Sequence, residues 1–219
     1  MKPRLLVLTA GYGEGHNAAA RALSQAHEAR HGAGTAPIAD VFALASPRLN
    51  AVVRRSYLGL INRAPRLWSA VYGWLDRSSL APRLMRSLRR ETRTLAAVIQ
   101  REQPDAICAT YPAYAFMLAA LRDRGRLHAP CFSVVTDSIS INSLWWRAGA
   151  EGWFVPNEDS AEVMRRAAVD SSRLHVLGFP VPPFFAAHAG RLAPPSLALG
   201  AAPRVLDRKS TRLNSSHVL

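Results

Sequence analysis

The fold class this chain predicts is α/β, a parallel sheet covered by helices, and three observations carry it. Short apolar runs recur at residues 4–9, 35–41, 105–110, 130–136, 152–155 and 173–176, each the size of a strand buried on both faces. Stretches with helical periodicity lie between most of them, and strands alternating with helices argue for parallel pairing through crossovers. The first run breaks into Gly11-Tyr12-Gly13-Glu14-Gly15, then His16 and an alanine-rich helix, which is the order of a ligand-facing strand–turn–helix.

Residues 4–9 form the first strand. Residues 15–29 follow as a helix, with Ala18, Ala22, Leu23 and Ala26 at helical spacing, and Gly32 and Gly34 end it. Residues 35–41 are the second strand, and Asp40 near its end either faces a hydroxyl-bearing ligand or is solvated. Residues 42–100 read as one long helical insertion punctuated by Pro47, Pro65 and Pro82. The alternation then resumes, with helices at 113–124 and 160–168 between the remaining strands, and no internal repeat is visible.

The glycine loop fits neither the dinucleotide fingerprint nor the P-loop, because its glycines fall at every second position and no Lys follows. One reading of Gly11, Gly13 and Gly15 is a turn whose glycines permit positive φ. The other is a cradle of backbone N–H groups at a helix start. There the positive end of the dipole favours a neutral imidazole on His16, a usable general base. In parallel sheets ligands gather beyond the C-terminal strand ends. Those ends carry Gly11 to His16, Thr110-Tyr111-Pro112, Thr136-Asp137-Ser138, Val155-Pro156-Asn157-Glu158 and Gly178-Phe179-Pro180, all on one edge. Asp137 could accept a hydroxyl proton or orient His16, with Ser138 and Ser140 assisting, or cap the next segment. Asn157 reads first as an N-cap, with ligand contact as its second role.

The 219 residues allow one large or two small domains, and 49% hydrophobic content suffices for a globular core. No run approaches the roughly 18 apolar residues of a spanning helix, and the run behind Lys2 and Arg4 is too short for a signal-peptide core. A cytoplasmic location is the expectation. Cys108 and Cys131 sit in apolar strand-like runs, so buried free thiols are expected rather than a disulfide or a metal site.

The formal net charge is +13. Between residues 48 and 101 arginines recur, opposed only by Asp76 and Glu91 and interleaved with Tyr, Trp and Leu. Arg63, Arg66, Trp68, Tyr72 and Trp74 are the centre of that segment. Basic and aromatic residues at helical spacing describe a helix lying on an anionic membrane surface, a peripheral and not a spanning element. The same pattern also describes a soluble helix whose Trp68, Tyr72 and Leu75 face a core. No helix-turn-helix, zinc-ligand or RNP-type signature accompanies the charge, so no nucleic-acid partner is expected.

Residues 207–219 fit no element of this fold. From Asp207 to His217 they match, residue for residue, what a common sequencing adapter encodes in frame, so the coding sequence is expected to run into adapter near Leu206 and the natural protein to be longer. The tail carries Arg208, Lys209 and Arg212 against Asp207, and the chain stays strongly basic without it.

Several motifs stand in order: Gly11 to His16 with its alanine-rich helix, Tyr57 to Tyr72 around Pro65 and Trp68, Thr136-Asp137, Trp153 to Glu158, and Gly178-Phe179-Pro180-Val181. Together they resemble the N-terminal domain of the monogalactosyldiacylglycerol synthase family, which includes the bacterial processive diacylglycerol glucosyltransferases. The likeness covers most of residues 4–185. It implies the N-terminal, Rossmann-like half of a GT-B glycosyltransferase that passes a hexose from a UDP-sugar to a diacylglycerol-type lipid, with no cofactor.

The resemblance further implies that residues 1–186 bind the acceptor, that the helical insertion meets the membrane, and that residues 187–206 lead to a C-terminal half holding the donor. His16 would be the base, aided by Asp137. Gly11, Gly13, Gly15, Asn157 and Gly178 would line the substrate side. Two positions depart from the pattern: Asn142 stands where many members have His, and Tyr12 where glycine is frequent. The alternatives are a non-catalytic lipid-binding module of the membrane surface, or a GT-B enzyme with another acceptor.

Overall fold

The structure, a computed structural model, describes residues 2–78, 80–137 and 141–191. Ser138 and Ser140, the chain from 192 onward and the adapter-like tail therefore lie outside the described residues.

Among the described residues six strands form one wholly parallel sheet in the order β2-β1-β3-β4-β5-β6. They are β1 (Leu5–Leu8), β2 (Ile38–Ala39), β3 (Ala106–Ala109), β4 (Cys131–Val134), β5 (Gly152–Val155) and β6 (Leu174–Val176). This is the predicted α/β class, a Rossmann-like sheet with flanking helices. Central strands are apolar on both faces, with Leu6, Val7, Leu8 and Ile107 fully buried, as a sheet sandwiched between helical layers requires. The chain runs outward from β1 to β2 and then returns to β3, so the direction of winding reverses between β1 and β3. Such a switch point opens a crevice beyond the strand ends.

α1 (Glu14–His31) starts at Gly13 and stops at Gly32, whose φ of 104° lets the chain leave the helix while its N–H bonds Glu28 O at 2.8 Å. The second strand is shorter than expected. Asp40 caps α2 (Val41–Ala45) by accepting from Ala43 N–H at 3.0 Å, which converts the end of the apolar run into a helix start.

The 42–100 segment divides into separate helices where proline dictates. Pro47 opens α3 (Pro47–Arg63) and Pro65 opens α4 (Pro65–Arg77), each at a first-turn position where a missing N–H costs nothing. α5 (Leu80–Arg86) and α6 (Arg89–Glu102) follow. α2 and α6 belong to the main core, where Val41, Phe42, Leu95 and Val98 join β1 and β3. α3, α4 and the exposed side of α5 stand outside it.

α7 (Ala113–Arg122) is almost wholly buried. α8 (Glu158–Arg166) and α9 (Pro183–His188) complete the helices of the described residues. A second cluster around Trp145, Trp153 and Met164 packs the β5 side.

Candidate functional site

The site assembles at the switch point, where the loops after β1, β3 and β4 meet. Gly11, Gly13 and Gly15 need no left-handed backbone: among the described residues the positive-φ glycines are Gly32, Gly34, Gly125, Gly149 and Gly178. Gly11 serves a close approach instead. Its N–H donates to Asp40 Oδ2 at 2.9 Å, and a Cβ there would meet that oxygen at 3.3 Å. Asp40 thus ties the glycine loop to the start of α2, a structural use that replaces the expected choice between ligand contact and solvation.

His16 lies in the first turn of α1, half-buried. Its Nδ1 is 2.7 Å from the Thr110 carbonyl oxygen and 2.8 Å from Thr136 Oγ1. A carbonyl can only accept, so Nδ1 carries the proton, and in the neutral ring Nε2 holds the lone pair. Burial lowers the imidazole pKa from its ordinary 6.5, while the bond to Thr110 and the negative charge of Asp137 act in the opposite sense. The ring is therefore neutral at pH 7, the form a general base requires. The edge of Tyr111 stands against it, ring centroids 5.1 Å apart, and Trp145 lies at 6.4 Å.

The sequence singled out Asp137 as the group that would orient His16. The Nδ1–H is instead held by the Thr110 carbonyl and the Thr136 hydroxyl, which accept it. Asp137 acts on the ring through its charge, and its Oδ2 accepts from the Trp145 indole N–H at 2.8 Å. Trp145 is 1% exposed, and its position rests on a 3-10 turn capped by Asn142, whose Oδ1 accepts from Leu144 N–H. Asn142 thus spends its side-chain oxygen on a cap. Asn157 likewise caps α8, its Oδ1 accepting from Ser160 N–H at 2.9 Å. Gly178 follows β6 at the far edge of the sheet, with φ 82°.

Tyr12, Tyr57, Tyr111 and Phe42 form an aromatic wall beside His16, with Tyr12 in contact with the other three rings. Burial, with Asp40 and Glu91 nearby, pushes the Tyr12 hydroxyl up to about 12, so it stays neutral. This wall is one end of a groove of about 310 Å3 whose other walls include Leu49 and Val53 of α3 and Leu84 and Met85 of α5. The groove runs from the exposed faces of α3 and α5 to Tyr111, the residue that touches His16.

Around its mouth apolar side chains stand in the open, with Leu49 61%, Val52 60% and Leu84 55% exposed. On α4, Leu67 and Trp74 are exposed as well. Arg48, Arg54, Arg55, Arg63, Arg66, Arg77, Arg83 and Arg86 are exposed on the same helices and their flanks. Trp68 and Tyr72 lie on α4, their side chains outside the described set. Among the described residues no helix is long and apolar enough to cross a membrane, and no cluster of His, Cys, Asp and Glu could hold a metal ion.

Sequence reasoning missed the hold of Thr110 and Thr136 on His16 and of Trp145 on Asp137. Their only signal was position, since both threonines directly follow apolar runs.

A family model described as monogalactosyldiacylglycerol (MGDG) synthase matches residues 16–181, more than half of the chain. Among curated proteins the chain is 25% identical over 182 residues to a processive diacylglycerol beta-glucosyltransferase of Bacillus cytotoxicus. It is 24% identical over the same length to proteins of that name from Bacillus cereus and Bacillus mycoides. Each alignment covers 82% of this chain and 45% of the relative, so the chain spans about half the length of the curated relatives it matches.

Proposed function

The chain belongs to the monogalactosyldiacylglycerol synthase family, and from that premise we propose that it is the lipid-accepting half of a glycosyltransferase that places a hexose on the hydroxyl of a diacylglycerol. The observation that carries the reading is the apolar groove that leads from exposed helices to Tyr111, whose ring edge stands against the neutral imidazole of His16. A diacylglycerol has that shape: acyl chains that leave water for an apolar channel, and one hydroxyl at the end.

The reaction is an inverting displacement. Nε2 of His16 takes the acceptor's hydroxyl proton as the oxygen attacks the anomeric carbon, and UDP leaves toward the donor half. The Asp137 carboxylate, whose charge favours the protonated ring, stabilises the imidazolium that forms. The donor, a UDP-sugar, binds in the portion of the enzyme beyond this chain, reached through residues 187–206. In this reading the exposed leucines and Trp74 of α3–α5 dip into the bilayer surface while the surrounding arginines meet anionic head groups, and their exposure supports a peripheral enzyme.

A photoactivatable diacylglycerol in vesicles tests the reading on the chain itself. Label is expected on Leu49, Val53 and Leu84, more from phosphatidylglycerol-containing vesicles than from neutral ones, and less as salt rises. Equal labelling from both vesicles would remove the role given to the arginines. Labelling that bypasses the groove would overturn the assignment of the acceptor site.

A further inference from the structure

We propose that Thr136 is a positioning residue for His16: its hydroxyl, together with the Thr110 carbonyl, fixes the ring so that Nδ1 carries the proton and Nε2 faces the cleft. The inference deepens the reading of His16 as the base and rests on it.

Two neighbouring strands each bring one oxygen to the same nitrogen. Thr110 follows β3 and presents its carbonyl at 2.7 Å; Thr136 follows β4 by two residues and presents its hydroxyl at 2.8 Å. The single Nδ1–H is shared between them. A lone acceptor would define the ring's tautomer but leave rotation about the Cβ–Cγ bond softly held, whereas acceptors on two strands define both.

Thr110 is itself fixed. It is fully buried, its N–H bonds Leu8 O at 2.9 Å, and its hydroxyl lies 3.2 Å from Leu8 O and 3.1 Å from His16 O. The carbonyl that meets His16 is therefore part of the β1–β3 crevice, and Thr136 extends the same clamp to β4. Tyr111 and Trp145 wall the ring. The titratable groups that face it are Tyr111, whose hydroxyl burial pushes well above its ordinary value, and Asp137. Asp137 is the obvious candidate for the orienting role, but its Oδ2 is given to the Trp145 indole. Among the described residues Nε2 has no hydrogen-bond partner, which leaves it open to a substrate hydroxyl.

The test is long-range 1H–15N correlation NMR on the 219-residue chain labelled at histidine, a readout that needs neither donor nor lipid. Wild-type His16 is expected to be neutral with its proton on Nδ1. Thr136→Val keeps the side chain's size and removes the acceptor. It should lower the ratio of Nδ1–H to Nε2–H tautomer roughly two- to tenfold, the equivalent of one ordinary hydrogen bond, and move the titration midpoint down. Thr136→Ser should restore both.

Asp137→Asn should lower the midpoint and leave the tautomer ratio alone, separating a charge effect from a positioning one. If circular dichroism shows that Thr136→Val is unfolded, Thr136→Cys, with a weakly accepting thiol, takes its place with the same expected direction. A folded Thr136 variant with the wild-type ratio and midpoint would overturn the proposal, since the Thr110 carbonyl would then suffice alone. An Nε2–H tautomer in the wild type would overturn it too. A correct tautomer response beside an inactive enzyme with no groove labelling would sink the acceptor reading and leave the positioning role standing.

Discussion

Tyr114→Phe removes one oxygen from the centre of the frame that holds the site. Tyr114 is fully buried at the start of α7; its hydroxyl donates to Thr9 O at 2.6 Å and accepts from Val41 N–H at 2.9 Å. Phenylalanine keeps the ring and its edge contact with Phe42, ring centroids 5.4 Å apart, so almost no apolar area is lost. What changes is hydrogen bonding. Val41 is fully buried at the first position of α2, where its N–H has no helical partner, and the substitution strands that donor while the Thr9 carbonyl loses its tyrosine.

A buried group left unpaired costs about 1–3 kcal/mol, so the pair costs about 2–6 kcal/mol out of the roughly 5–15 kcal/mol that stabilise a domain. At roughly 2–4 °C per kcal/mol for a chain of this size, the melting temperature should fall about 4–24 °C. Burial and Asp40 push the Tyr114 hydroxyl well above its ordinary value, so the loss should be the same at pH 6 and pH 8. Urea unfolding followed by circular dichroism reads it as a lower midpoint at unchanged m. Amide exchange at Gly11 should also quicken, because Thr9 opens the glycine loop and Val41 follows the carboxylate that holds it. A loss below about 0.5 kcal/mol would refute the claim that this hydroxyl joins β1 to α2.

The remaining expectations concern groups whose chemistry burial has changed. Burial pushes the Cys108 and Cys131 thiols up to about 12, so neither should react with a disulfide reagent at pH 8 until denaturant is added; prompt reaction in the native state would show an accessible thiolate. The His16 pKa is lowered on folding, so the unfolded chain binds this proton first as pH falls. Its contribution to stability is complete above the ordinary value of 6.5 and is lost as pH drops through that value toward the folded one. Replacing His16 with Asn should flatten that part of the curve of urea midpoint against pH, and an unchanged slope would place the titration elsewhere.

The fold was legible because each strand announces itself locally. Three of the six apolar runs became strands that lost only a residue or two at each end, 173–176 lost only its first residue, and 152–155 matched. The second strand shows where locality fails: nothing in 35–41 says that one oxygen of Asp40 will accept from Ala43 N–H and the other from the N–H of Gly11, twenty-nine residues earlier. The glycine loop fails in the same way, since its spacing suggests unusual backbone angles when the real constraint is the approach of that carboxylate.

At the site, the sequence placed His16, Thr110, Thr136 and Asp137 on one edge, but not the bonds among them. The bond from Thr136 to His16 spans 120 residues, and that from Thr110 spans 94. Both depend on the register of three parallel strands, which side-chain periodicity does not encode. The groove was legible only in its ingredients. Tyr57, Leu84 and Tyr111 come from separate helices and a strand end, and only packing of α3 and α5 against the glycine loop makes them one surface.

The most direct measurement is hexose transfer from a UDP-sugar to diacylglycerol in anionic vesicles by the enzyme that joins this chain to its donor half, with His16 intact and with His16→Ala. A base of this kind contributes about 10²–10⁴-fold. The account predicts a kcat loss of about that size with KM little changed, whereas a loss below about tenfold would contradict His16 as the base and with it the chemistry assigned to this cleft.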